Sequence, residues 1–118
     1  MADDFDALVL SLRGWGSSCD AHKRAAVELL IWHEHWLRRS DFLKACTFKG
    51  RELTNIKWGD ARAFVDAGPQ ASTSQLAILD LAVALGEDRY KLASMGAAHS
   101  RSIANAMSAA CGLGEIAP

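Results

Sequence analysis

A chain of 118 residues that is 50% hydrophobic and 23% charged carries enough apolar surface for one compact core, which excludes a disordered segment. Its length leaves no room for a cofactor domain joined to a substrate domain, and a formal net charge of -1 excludes a uniformly basic nucleic-acid binder. Alanine supplies 21 residues, Val and Ile together nine and Thr three, a balance that favours helix and starves strands. The expected fold is therefore all-α or mostly α. It would be a single domain over 1–118, a compact bundle of five or six helices with at most a minimal two-stranded β element, ending in a loose tail over 113–118.

Phe5, Leu8, Val9 and Leu12 fall at i, i+3, i+4 and i+7, the stripe of an amphipathic helix that Gly14-Trp15-Gly16 should stop. Ser17, Ser18 and Asp20 are competent caps for a second helix, uninterrupted by Gly or Pro to about Arg39. Its inner face would carry Ala26, Leu29, Leu30, His33, Trp36 and Leu37, with Glu34 and Arg38 paired at i, i+4 on the wet side. Ser40 and Asp41 can open a further short helix through Cys46. Beyond Thr47 the helical period fails: Lys49-Gly50-Arg51 reads as a turn, and Thr54 to Trp58 alternates as a short strand would, with Arg89–Leu92 as the expected partner.

Asp60 should cap a short helix through Ala67, which Gly68-Pro69 ends. Ser72 and Gln75 form a capping box, S-x-x-Q, directly before an apolar run. The helix from Thr73 to Leu85 is apolar on nearly every side and should be the central pillar, leaving only Thr73, Ala77, Asp80, Ala84 and Glu87 as a narrow wet line. Leu92 to Met95 is expected to re-enter the core before a last helix over about Ala97–Cys111, its inner stripe running His99, Ile103, Ala106, Met107, Ala110 and Cys111.

His35-Trp36-Leu37-Arg38-Arg39-x-x-Phe42, then Ile56-x-Trp58, then Ser72-x-x-Gln75 before Leu79-x-Leu81-Ala82-x-x-Leu85, then Ala110-x-Gly112, is similar to small uncharacterised helical proteins of actinobacteria and their phages. The resemblance covers roughly residues 30–112. It implies a helical fold, admits a phage or mobile-element origin, and brings no activity with it.

Chemistry is sparse. Cys19, Cys46 and Cys111 are odd in number and widely spaced, which predicts free thiols in a reducing cytosol, and Met1-Ala2-Asp3-Asp4 is acidic where a secretory signal is basic. The longest apolar stretch, Leu76 to Leu85, is about ten residues against the roughly 20 that span a bilayer. A cytoplasmic protein without membrane contact is the expectation. His33 and His35 sit two apart, where a helical zinc pair needs i, i+4 and further ligands, so His22, His33, His35 and His99 read as two surface and two partly buried rings and no metal is expected. Cys19, near a helix start, would be the most reactive thiol, although a buried thiol is the simpler reading. Asp60, Asp66, Asp80, Glu87 and Asp88 could supply an acid/base pair, yet each is accounted for as a cap, a loop residue or a wet stripe. No glycine-rich phosphate loop exists, so neither catalytic nor cofactor residues are assigned and an enzyme is not expected.

Charge is uneven: residues 22–57 hold eight bases and four acids, while the flanking segments are acidic. With Trp36 nearby, Arg38, Arg39, Lys44 and Arg51 become the candidate partner-binding residues of a non-enzymatic interaction or regulatory protein. The alternative is a weak nucleic-acid-binding module on the same bases, although neither helix pair has helix-turn-helix geometry. Trp32 and Trp36 at i, i+4 make an aromatic ridge that reads as core, with a binding hot spot as the alternative. The small-residue lines Ala77 with Ala84, and Ser100, Ala104 and Ser108, fit either internal packing or a seam between two copies.

Overall fold

The structure, a computed structural model, describes residues 4–114, so most of the tail expected over 113–118 lies outside the described residues. Six α-helices follow one another: α1 (Asp4–Gly16), α2 (Ala21–His33), α3 (Ser40–Cys46), α4 (Trp58–Asp66), α5 (Thr73–Gly86) and α6 (Ala97–Ala110). Two 3-10 turns, His35–Arg38 and Leu92–Met95, and an antiparallel pair of strands, β1 (Thr47–Lys49) and β2 (Thr54–Ile56), complete the described elements. The mostly α expectation with a minimal β element holds.

The strand partner differs from the expected one. β2 pairs with β1, Phe48 opposite Asn55, rather than with Arg89–Leu92. That later segment cannot extend, because Asp88 and Lys91 on either side of Arg89-Tyr90 take φ of 57° and 54°. β1 went unread because Thr47-Phe48-Lys49 is too short to show an alternation.

Helix α2 also ends six residues early. Glu34 turns to φ 66°, its N–H still bonded to Leu30 O, and the chain restarts as the 3-10 turn. A non-glycine residue in that region costs about 1–3 kcal/mol. The break offsets this by sending Trp36 and Leu37 into the core, each worth about 1.5–3 kcal/mol buried. Trp32 is left outside, 83% exposed, while Trp36 is 0% exposed, so the ridge is split between core and surface. Helix α1 conversely runs through Gly14-Trp15-Gly16, and the hydroxyls of Ser17 and Ser18 bond back to the carbonyls of Gly14 and Trp15 rather than capping α2.

Helices α2 and α5 make the main packing pair, with α1, α3, α4 and the hairpin closed around them. Trp36, Phe42 and Phe64 form an aromatic knot with ring centroids 5.6–6.2 Å apart. Cys46 is buried beside it, and desolvation pushes its thiol up to about 12. Ala84, expected on the wet line of α5, is buried as well.

The capping box forms as read and does more than cap. Ser72 Oγ accepts from Gln75 N, and Gln75 Oε1 accepts from Ser72 N. With Oε1 so occupied, the Gln75 amide nitrogen faces His35 Nδ1 at 3.3 Å, and the Gln75 carbonyl accepts Trp36 Nε1–H at 2.9 Å. The start of α5 is thus tied to the 3-10 turn. His35 is held neutral there: burial first, then Arg39 and His33, push its pKa below the usual histidine range, against a smaller opposing pull from Asp41. The unfolded chain therefore binds the proton more readily than the native one. This contribution is complete above the ordinary histidine pKa and is lost as pH falls below it. The melting temperature is expected to drop between about pH 7.5 and pH 5.5, and His35→Gln should flatten that slope; thermal melts across the range check both.

Candidate functional site

Four of the five carboxylates considered for acid/base work are consumed structurally. Arg62, on α4, reaches Asp80 at 2.8 Å, Glu87 at 2.9 Å and Asp66 at 3.8 Å, joining α4 to α5, and Asp60 pairs with Lys57 at 3.4 Å. Its guanidinium is stabilised in the charged form chiefly by the bonds to Glu87 and Asp80. Asp88 is half-buried with Oδ1 unpartnered, in a cleft of about 580 Å³ also lined by Asp20, His22, Ala25, Leu85 and Leu92. There His22 Nδ1 lies 2.9 Å from Leu85 O, which fixes the Nδ1–H tautomer. His22, His33 and His35 are half-buried and His99 exposed, where two surface rings were expected. The break at Glu34 brings the His33 and His35 rings to 6.1 Å, a proximity that continuous helix forbids. Among the described residues no three metal-type ligands gather. Cys19 is half-buried, its thiol 3.4 Å from Trp15 O.

Of the residues expected to bind a partner, Trp36 cannot: it is wholly buried. The sequence places it both on the inner face of its helix and in a ridge with Trp32; in the 3-10 turn after Glu34 it is inside and Trp32 is not. Arg39 is pinned, bonded to Asp41 at 2.6 Å and to Gln70 O at 2.7 Å, with its guanidinium 4.7 Å from the Trp36 ring centre and its side chain 23% exposed. Its bond to Asp41 holds that carboxyl below the usual aspartate range. Arg38 pairs with Glu34 at 3.2 Å and covers the Phe5 ring at 3.9 Å. These two arginines pack and orient. Lys44 and Arg51 differ, being exposed and without an ion pair among the described residues.

They flank β1. Lys44 lies on α3 just before it and Arg51 in the bend just after, with exposed Lys49 and 55% exposed Phe48 on the strand between. This is the part of the 22–57 bases that is both without ion pairs among the described residues and next to an exposed aromatic ring.

A second surface lies at the opposite end of the chain. Leu92–Met95 does not enter the core, and α6 has no buried residue; it packs chiefly on that 3-10 turn. Met107 is 50% exposed and Leu113 78%, with Tyr90, Leu92 and Met95 also open. Of the expected inner stripe of α6, Ile103 is half-buried and His99, Ala106, Met107, Ala110 and Cys111 are exposed, so the stripe does not join the core. The reason is its content: Ile103 and Met107 are the only large aliphatic side chains in fourteen residues, and alanines and a histidine fill the rest. No helix among the described residues is long and apolar enough to cross a membrane. Comparison with family models, with curated proteins and with solved structures returns no match, so function has to be read from these surfaces themselves.

Proposed function

We propose that this chain is a small non-enzymatic interaction protein that docks α6 into an apolar groove of another protein. The observation that supports this reading is the 14-residue helix without a buried side chain. Isolated helices of about 12–15 residues are marginal in water, so such a helix gains most from a surface that covers it. Its composition suits helix-in-groove recognition: Ile103 and Met107 stand at i, i+4, Arg101 is the one Lys, Arg, Asp or Glu in the helix, and methionine adapts to irregular walls. The resemblance to small helical proteins of actinobacteria and phages adds no partner, and the proposal rests on this surface.

The test is an affinity capture from host lysate, with and without nuclease, using wild type and an Ile103→Glu/Met107→Glu variant, accompanied by light scattering for self-association. The variant should melt within about 2 °C of wild type and lose the captured protein, since a charge placed in an apolar groove costs several kcal/mol. Retention of the same protein by the variant would sink the proposal. So would a melting temperature that falls as for a core substitution, because α6 would then be covered by its own body. Material released only by nuclease would favour the nucleic-acid alternative instead.

A further inference from the structure

We propose that the outer edge of β1 receives an extended acidic peptide segment, which adds as a third antiparallel strand. The ladder fixes which backbone groups are free. Gly50 N–H donates to Leu53 O at 3.0 Å and Lys57 N–H to Cys46 O at 2.7 Å, so positions 46 and 50 turn their backbone toward β2. Orientation alternates along a strand, so Phe48 does likewise and Thr47 and Lys49 turn theirs outward. The Thr47 N–H is already spent on Leu43 O, closing α3. What remains is a short edge of acceptor, donor and acceptor: Thr47 C=O, Lys49 N–H and Lys49 C=O. A single residue of an incoming antiparallel strand can exchange both bonds with Lys49, and the next but one can donate to Thr47.

Charge selects the occupant. Lys44, Lys49 and Arg51 have no ion pair among the described residues, Asp41 is held by Arg39, and Asp4 and Glu52, which share a cleft with Thr47 and Lys49, offset the three bases in part and leave the edge net positive. A lysine on an edge strand repels the same edge of a second copy, which disfavours self-pairing. The same lysine attracts a strand with Glu or Asp at alternate positions. Phe48 stands on the other face, 55% exposed, and offers apolar contact to the residues in between. Single-stranded nucleic acid could use the charge and the ring, but its phosphate backbone carries acceptors alone and cannot continue a strand ladder along Thr47 and Lys49. This edge is separate in sequence and fold from α6, so the Ile103→Glu/Met107→Glu variant should bind the peptide normally.

The probe is a fluorescently labelled nine-residue peptide alternating glutamate with threonine, followed by anisotropy on the full chain. Saturable binding is expected that weakens roughly tenfold or more with added salt and in Lys44→Glu/Arg51→Glu, a variant whose exposed positions leave the melt unchanged. The Lys49 amide should also become protected from hydrogen exchange. Two versions N-methylated on alternate residues separate strand addition from plain charge attraction, because only one of the two complementary methylation patterns should retain binding. Equal binding by both methylated versions would overturn the proposal. So would tighter binding of a thymidine oligonucleotide of equal charge, or no saturable binding up to about 1 mM peptide.

Discussion

Replacing Trp36 by alanine is expected to cost about 3–5 kcal/mol, the range for truncating a buried aromatic ring. For a domain whose whole stability is about 5–15 kcal/mol, this leaves a large unfolded fraction near body temperature. The ring is the centre of the knot with Phe42 and Phe64, meets His35 edge-on at 4.9 Å and lies under the Arg39 guanidinium. Trp36→Phe separates packing from hydrogen bonding. It keeps much of the apolar contact but removes Nε1–H, the donor to Gln75 O at the start of α5, and should cost about 1–3 kcal/mol. Urea titrations followed by circular dichroism measure both. By contrast Trp32→Ala, four residues earlier and 83% exposed, should shift stability by no more than about 0.5 kcal/mol.

Gly86→Ala is expected to destabilise the fold although propensity argues the opposite. Within a helix, alanine is better than glycine by about 0.5–1 kcal/mol. A Cβ at position 86, however, would lie inside the ring of Trp58, which itself stacks on Trp15 with centroids 6.5 Å apart. Neither ring has a free end that can swing aside, and overpacking of this kind costs about 1–3 kcal/mol or more. The net effect should therefore be a loss of at least about 1 kcal/mol. A double-mutant cycle with Trp58→Leu decides the mechanism. If the clash is the cause, Gly86→Ala becomes neutral or stabilising in the Trp58→Leu background; additive effects would exclude it.

These two residues also mark how far a sequence can be read. The Ser72-Gln75 box, the Gly68-Pro69 stop and the buried α5 were legible because each rests on local geometry or on apolar residues that wrap nearly all round a thirteen-residue segment. The expected helix ends at Leu85, next to Gly86, and nothing in the sequence tells what Gly86 does. The left-handed turn that closes α5 belongs to Asp88, and Gly86 is small because a tryptophan 28 residues earlier presses on it. Glu34 carries no local signal at all. Its turn is imposed by the burial of Trp36 and Leu37, a tertiary gain that no capping rule records. Among the binding candidates the bases were found by composition. Which of them are free, Lys44 and Arg51, and which are tied, Arg38 and Arg39, depended on partners such as Phe5 and Gln70 that lie 31 or more residues away. The apolar stripe of α6 was read correctly as a pattern and wrongly as a core face, since a period reports only that one side is apolar.

Because α6 contributes nothing to the buried core, substitutions along it leave the folding free energy of the remaining body nearly untouched. Selection can then act on the two parts separately. The body from α1 to α5 is constrained by its aromatic knot and its close tryptophan–glycine contact, and tolerates little drift there. Helix α6 can change side chain by side chain, each step cheap in stability.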